Sequence, residues 1–124
     1  MKKILIVDDE QIIRELLKEL LKELIEVSFS IDVDIAEEGN EALALCKKHD
    51  YQLILTDTNM PNGMNGEEFV QCLIKEGFDN NICVMSGYNE NQYLTIKKYV
   101  KKFFKKPLKP SDMFSELKEL IVNE

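Results

Sequence analysis

Residues 95–106 read TIKKYVKKFFKK, and two readings of them lead to different folds. Apolar and lysine pairs alternate every four residues. Ile96, Tyr99, Val100, Phe103 and Phe104 would therefore line one face of a continuous helix ending before Pro107. The other reading stops the helix early and makes Lys102 to Lys105 a short strand.

The rest of the chain favours the strand. Lys3 to Asp8 is an apolar run with a sharp acidic end, as expected of a fully buried strand. From Gln11 to Ile25 the residues Ile12, Ile13, Leu16, Leu17, Leu20, Leu21, Leu24 and Ile25 fall at helical spacing, with charges on the opposite face. Ile31 to Ala36 alternates apolar and acidic residues, which predicts a strand with one wet side near a sheet edge. Glu38-Gly39-Asn40 is a break, with Asn40 as the expected cap of a helix over Glu41 to Lys48. Tyr51 to Thr56 is a strand ending at Asp57, and Asn59 to Gly66 (NMPNGMNG) is a loop. A helix over Glu67 to Glu76, a strand over Asn81 to Ser86 and a final amphipathic helix over Ser111 to Val122 complete the series. Strands and helices thus alternate with short connections. That pattern predicts an α/β fold with a parallel sheet covered on both faces, and a fifth strand at Lys102 to Lys105 continues it.

The bulk properties agree. A chain of 124 residues is the size of one domain, so residues 1–124 are expected to form a single one. The three cysteines, Cys46, Cys72 and Cys83, are widely spaced among apolar neighbours. They read as reduced core residues in a cytoplasmic protein rather than as a disulfide framework. No apolar run approaches a membrane span, and the N-terminal apolar run is too short for a signal peptide. The net charge of −7 is uneven: residues 1–90 carry −11 and residues 91–124 carry +4. The acidic body and the single arginine, Arg14, argue against nucleic-acid binding. Lys97, Lys98, Lys101, Lys102, Lys105 and Lys109 form either a solvated face or a surface for an acidic partner.

A parallel sheet binds its ligands at the carboxyl ends of its strands. There the first strand delivers Asp8 and Asp9, the third Asp57, the fourth Ser86 and the fifth Lys106. Three carboxylates at one point need a cation, and oxygen ligands without His or Cys suit magnesium. A metal that keeps several waters is an open site for phosphate. Lys106 would hold a phosphoryl oxygen, Ser86 would donate to another, and Asp57 could attack phosphorus to give an acyl phosphate. Glu10 is expected to leave the acidic group and open the first helix, where negative charge suits the dipole.

At these residues the chain resembles response-regulator receiver domains over essentially its full length. The matching motifs are ILIVDDE at 4–10, AEEGNEAL at 36–43, LILTDTNMP at 53–61, MSG at 85–87 and Lys-Pro at 106–107. The resemblance implies a flavodoxin-like (βα)5 fold with strand order 2-1-3-4-5. It implies that Asp57 accepts a phosphoryl group from a histidine kinase or histidine phosphotransfer protein. Asp9 would ligate Mg2+ directly and Asp8 largely through water, with Asp57 and the Asn59 carbonyl as the other protein ligands. Ser86 and Phe103 would be the switching hydroxyl and aromatic, and Lys106-Pro107 a cis bond.

Two departures stand out. The loop MPNGMNG after Asp57 is one residue longer than usual, with Gly63 as the insertion. The span from Ser86 to Lys106 is about two residues shorter than in the stand-alone chemotaxis regulator, which predicts a short or distorted fourth helix. Two other functions compete: a pseudo-receiver that binds partners without phosphate, and an aspartyl phosphohydrolase. The latter wants D-x-D, whereas Asp57-Thr58-Asn59 lacks the second acid.

Overall fold

In the computed structural model, residues 2–28, 31–60, 63–78, 81–88 and 90–122 are described, with side chains omitted for 24–28, 90 and 122. The expected places of Leu24 and Ile25 on the apolar face, and Pro61 and Asn62 of the loop, therefore lie outside the described structure. Five strands, β1 (Lys2–Val7), β2 (Ile31–Ala36), β3 (Leu53–Asp57), β4 (Asn81–Ser86) and β5 (Lys102–Lys105), form one sheet in the order β2-β1-β3-β4-β5. Every pairing is parallel. The helices are α1 (Gln11–Ser28), α2 (Gly39–Lys48), α3 (Gly66–Lys75) and α4 (Pro110–Val122). None among the described residues is long and apolar enough to cross a membrane.

The period-2 alternation of strand side chains splits the core in two. Ile4, Ile6, Leu53, Leu55, Cys83, Met85 and Phe104 pack with Leu17, Leu20 and Leu21 of α1 and Met113, Leu117 and Ile121 of α4. Leu5, Val7, Ile54, Ile82 and Val84 meet Ala42 and Cys46 of α2 and Phe69, Val70 and Leu73 of α3. Each fully buried aliphatic side chain contributes about 1.5–3 kcal/mol, set against the entropy of ordering the chain. Ile12 is 78% exposed, against expectation. At about 100° per residue it lies about 140° from Leu17 and 180° from Leu21, off the buried stripe. Cys46 and Cys83 are buried as expected, while Cys72 is only half-buried; all three are free.

The segment quoted at the outset is a strand where it matters. The Lys101 N–H donates to the Ile82 carbonyl at 2.8 Å, and Lys102–Lys105 then pairs with Cys83–Ser86. As a strand, Phe103 and Phe104 point to opposite faces and each finds a core, which a single helical stripe would not allow. The short or distorted helix expected before β5 is distorted throughout: between β4 and β5 the described residues contain no α-helix. Two single 3-10 turns, Glu90–Gln92 and Lys97–Tyr99, take its place. Ile96 and Tyr93 still cover the sheet face that a helix would cover.

The edge strand β2 meets the expectation of a wet side. Lys3 Nζ lies 2.8 Å from Asp32 and 3.4 Å from Asp34, and the Tyr51 hydroxyl donates to Asp34 at 2.6 Å. The cap of α2 is Glu38, not Asn40. In extended backbone (φ −158°), its carboxylate accepts from the Asn40 and Glu41 N–H groups at 2.6 and 3.1 Å. Asn40 thereby becomes a residue inside the helix.

The longer loop is tied to this same helix start. The Gly39 N–H donates to the Met64 carbonyl at 2.9 Å. Gly63 takes φ +117°, and a Cβ there would lie 2.8 Å from Glu38 Oε1. The extra residue is thus taken up beside α2. Past the loop, Asn65 and Glu68 form a reciprocal capping box that starts α3. A Cβ on Gly66 would lie 1.7 Å from the Asp57 carbonyl oxygen, so only glycine lets α3 begin against the end of β3.

Candidate functional site

The strand ends bring the expected residues to one rim. Asp8 directly follows β1, Asp57 and Ser86 end β3 and β4, and Lys106 follows β5. Main-chain bonds hold this register: Asp8 N–H to the Ala36 carbonyl at 3.1 Å, Thr58 N–H to Met85 at 3.2 Å and Lys106 N–H to Ser86 at 2.8 Å. The Lys106-Pro107 bond is cis.

Carboxylate oxygens of Asp8, Asp9, Glu10 and Asp57 all lie within 4.8 Å of one another. Asp8 is fully buried and Asp57 is 2% exposed, whereas Asp9 and Glu10 are exposed. Glu10 stays in the group, contrary to the sequence expectation. Its main chain opens α1 by accepting from Arg14 N–H, but its carboxylate turns to within 3.6 Å of Lys106 Nζ. The cation drawing it there is one that helix reasoning alone does not see.

Lys106 Nζ is the counter-charge of the cluster, 3.3 Å from both Asp8 Oδ2 and Asp57 Oδ1. Burial pushes the Asp8 carboxyl up to about 6; the Glu10 N–H, at 2.8 Å, opposes that, and the nearby Asp57 charge adds to it. Burial also raises Asp57, partly offset by Lys106 and by the Asn59 N–H at 3.3 Å. Burial alone would lower Lys106, but Asp8 and Asp57 outweigh it and hold the ammonium above its usual value. Two buried carboxylates that resist ionisation, beside two exposed ones, form an all-oxygen set that fits a hard divalent cation. Arg14 donates to the Asp8 carbonyl at 3.0 Å and braces the turn that carries the acids.

Above Asp57 and Lys106 lies a cavity of about 400 Å³ rimmed by Glu10, Thr58, Asn59, Gly87 and Tyr88. It has room for a phosphoryl group beside the carboxylate, with the ammonium at hand.

Ser86 is in the right place on the rim but faces a different way. It is 3% exposed, and its Oγ is 2.6 Å from the Tyr93 hydroxyl. The Tyr88 N–H donates to the same Oγ at 2.9 Å. The Tyr93 hydroxyl also meets Thr58 Oγ1 at 3.1 Å, and its ring stacks on Phe103 at 6.2 Å between centroids. Sequence reasoning passed over both Tyr93 and Thr58. Tyr93 sits in an irregular segment where no periodicity marks it. Thr58 differs: it directly follows Asp57, and that position was a signal to use.

Comparison with known proteins places this geometry in a family. An uncharacterized response regulatory protein of Staphylococcus epidermidis is 34% identical over 110 residues, 87% of this chain and 42% of its own length. Transcriptional regulatory protein HptR of Staphylococcus aureus is 31% identical over the same shares of each chain. The match thus spans about two fifths of these relatives. Response regulator TrrA of Thermotoga maritima, solved in complex with Mg2+-BeF, superimposes with a TM-score of 0.79 at 32% identity, covering 97% of this chain and 99% of that one. A CheY-like receiver domain of Methanospirillum hungatei gives a TM-score of 0.83 at 26% identity, covering 99% and 95%. The response regulator receiver domain profile matches residues 4–118, and the chain belongs to that family.

Proposed function

We propose that residues 1–124 act as a single receiver domain whose Asp57 takes a phosphoryl group from the phosphohistidine of a histidine kinase or phosphotransfer protein. The observation that carries this reading is Asp57 lining a cavity, with Lys106 Nζ at 3.3 Å and three other carboxylates within 4.8 Å. An Asp57 oxygen attacks phosphorus, the bond from phosphorus to the histidine nitrogen breaks, and the imidazole leaves with that electron pair. Lys106 stands where it can hold a developing phosphoryl charge. Asp8, Asp9, Asp57 and the Asn59 carbonyl would hold magnesium, which when bound neutralises the carboxylates and a phosphoryl oxygen. The protein acts on no substrate but its own aspartate.

The added charge would bias the connection from Ser86 to Phe103, which carries the lysine-rich surface. Lys98 and Lys101 are exposed there, Lys105 and Lys109 just beyond it, and together they suit an acidic partner. The setting is the cytoplasm, with no membrane or nucleic-acid contact.

The test uses Mg2+ and a small acyl-phosphate donor. The wild-type chain is expected to take up one hydroxylamine-labile phosphoryl group, and Asp57→Asn none. Equal labelling of Asp57→Asn would overturn the assignment of Asp57. Absence of magnesium binding at millimolar concentration would favour a binding module that takes no phosphate.

A further inference from the structure

The hydroxyl that should meet a phosphoryl group is already engaged. Ser86 Oγ is bonded to Tyr93 OH at 2.6 Å and receives the Tyr88 N–H at 2.9 Å, while the rim of the Asp57 cavity is formed by its neighbours Gly87 and Tyr88. We propose that Tyr93 is a positioning residue that holds the Ser86 hydroxyl back from Asp57 until a phosphoryl group arrives. The proposal rests on the reading of Asp57 as phosphoacceptor.

The supporting geometry is that of a fixed post. Tyr93 is 8% exposed, and its hydroxyl has a second anchor in Thr58 Oγ1 at 3.1 Å on the main chain that leaves β3. Its ring is stacked on Phe103 with planes 21° apart. A serine hydroxyl has one proton to give; in the proposed resting arrangement Ser86 gives it to the Tyr93 oxygen, and Tyr93 gives its own to Thr58 Oγ1. Phosphoryl oxygens on Asp57 are charged acceptors, and bonds to them are roughly twice as strong as a bond to a neutral phenol. Ser86 therefore exchanges partners, and Tyr93 is left with Thr58 alone.

The consequence reaches the surface. The Tyr93 carbonyl accepts from the Ile96 and Lys97 N–H groups at 3.1 and 2.9 Å, so the residue also seeds the turn carrying Lys97 and Lys98. Release of the phenol loosens the ring against Phe103 and the turn with it. The departure from an α-helix between β4 and β5 is what puts a tyrosine within reach of Ser86.

A four-protein comparison tests this: wild type, Tyr93→Phe, Ser86→Ala and the double variant, assayed for initial phosphorylation rate with Mg2+ and acetyl phosphate. Tyr93→Phe keeps the ring and its stack and removes only the hydroxyl. It is expected to speed phosphorylation by about fivefold, the worth of one neutral hydrogen bond. In the Ser86→Ala background the same change is expected to do nothing, because there is no hydroxyl to free. Urea unfolding verifies that each variant is folded. A Tyr93→Phe rate equal to or below wild type overturns the proposal. So does equal acceleration with and without Ser86, which would point to the ring rather than the bond. A wild type that takes no phosphoryl group overturns the phosphoacceptor reading itself. A phosphorylated wild type with an indifferent Tyr93→Phe overturns only the role of Tyr93.

Discussion

Asp8 and Ser86 are buried at the same rim, yet the molecule holds them by different physics. Asp8 belongs to a charged half: four carboxylates and one ammonium, with Lys106 3.3 Å from both Asp8 and Asp57. Ser86 belongs to a neutral half: three hydroxyls, Thr58, Tyr93 and Ser86, linked at 3.1 and 2.6 Å. In the charged half, burial penalises the ionised form of both Asp8 and Asp57, and Lys106 offsets only part of it. The neutral half is already satisfied. One half fits a cation; the other, in the inference drawn above, gives up a partner.

The comparison can be broken in three places, starting with the largest effect. The Asp8 carboxyl holds its proton up to about pH 6 in the folded protein, against 3.8 for the ordinary value. Between these values the folded chain binds more protons than the unfolded one, so stability falls as pH rises. In magnesium-free buffer this loss is expected to reach about 2–3 kcal/mol across the window. Urea midpoints measured from pH 4 to 7 would show it, and Asp8→Asn should flatten the curve. A wild-type stability that rises through that window would mean that burial does not penalise the ionised acids.

Next comes Lys106→Met, which removes the counter-charge from two buried carboxylates. It is expected to destabilise the magnesium-free protein by about 2 kcal/mol, less than for a fully buried pair because Lys106 is partly exposed. Millimolar Mg2+ should restore most of that loss. If magnesium restores none, the carboxylates do not form one site.

The smallest effect is expected in the neutral half. Thr58→Val removes one anchor of Tyr93 and should cost about 1 kcal/mol in denaturant unfolding. Magnesium affinity should stay within about twofold of wild type, because the Thr58 hydroxyl bonds Tyr93 and none of the carboxylates. A larger change would show that the two halves are coupled even before phosphorylation.

Legibility differed between the halves for the same reason. Asp8, Asp9, Asp57 and Lys106 could be placed in sequence because each stands at the end of a strand, and strand ends share a rim in a parallel sheet. Glu10 was misassigned because its neighbours in sequence suggested a helix start, while its cation comes from residue 106. Asn40 was misassigned as a cap because residue type alone cannot rank it above a carboxylate two residues earlier. Tyr93 was not found at all. Its partners Thr58 and Ser86 are 35 and 7 residues away, and no spacing rule links them.

The residues alone determined the five strands, their parallel pairing and the acidic rim, because these follow from local periodicity and from strand-end geometry, while the order of the strands came from the resemblance to receiver domains. They also identified residues 102–105 as a strand despite a helical repeat. Only the tertiary structure decided what fills the gap before that strand. A helical pattern is a preference worth tenths of a kcal/mol per residue, and burying both Phe103 and Phe104 on opposite faces of a sheet outweighs it. That choice shortens the connection to two 3-10 turns and brings a tyrosine to Ser86, so the neutral half of the site exists only once the chain has folded.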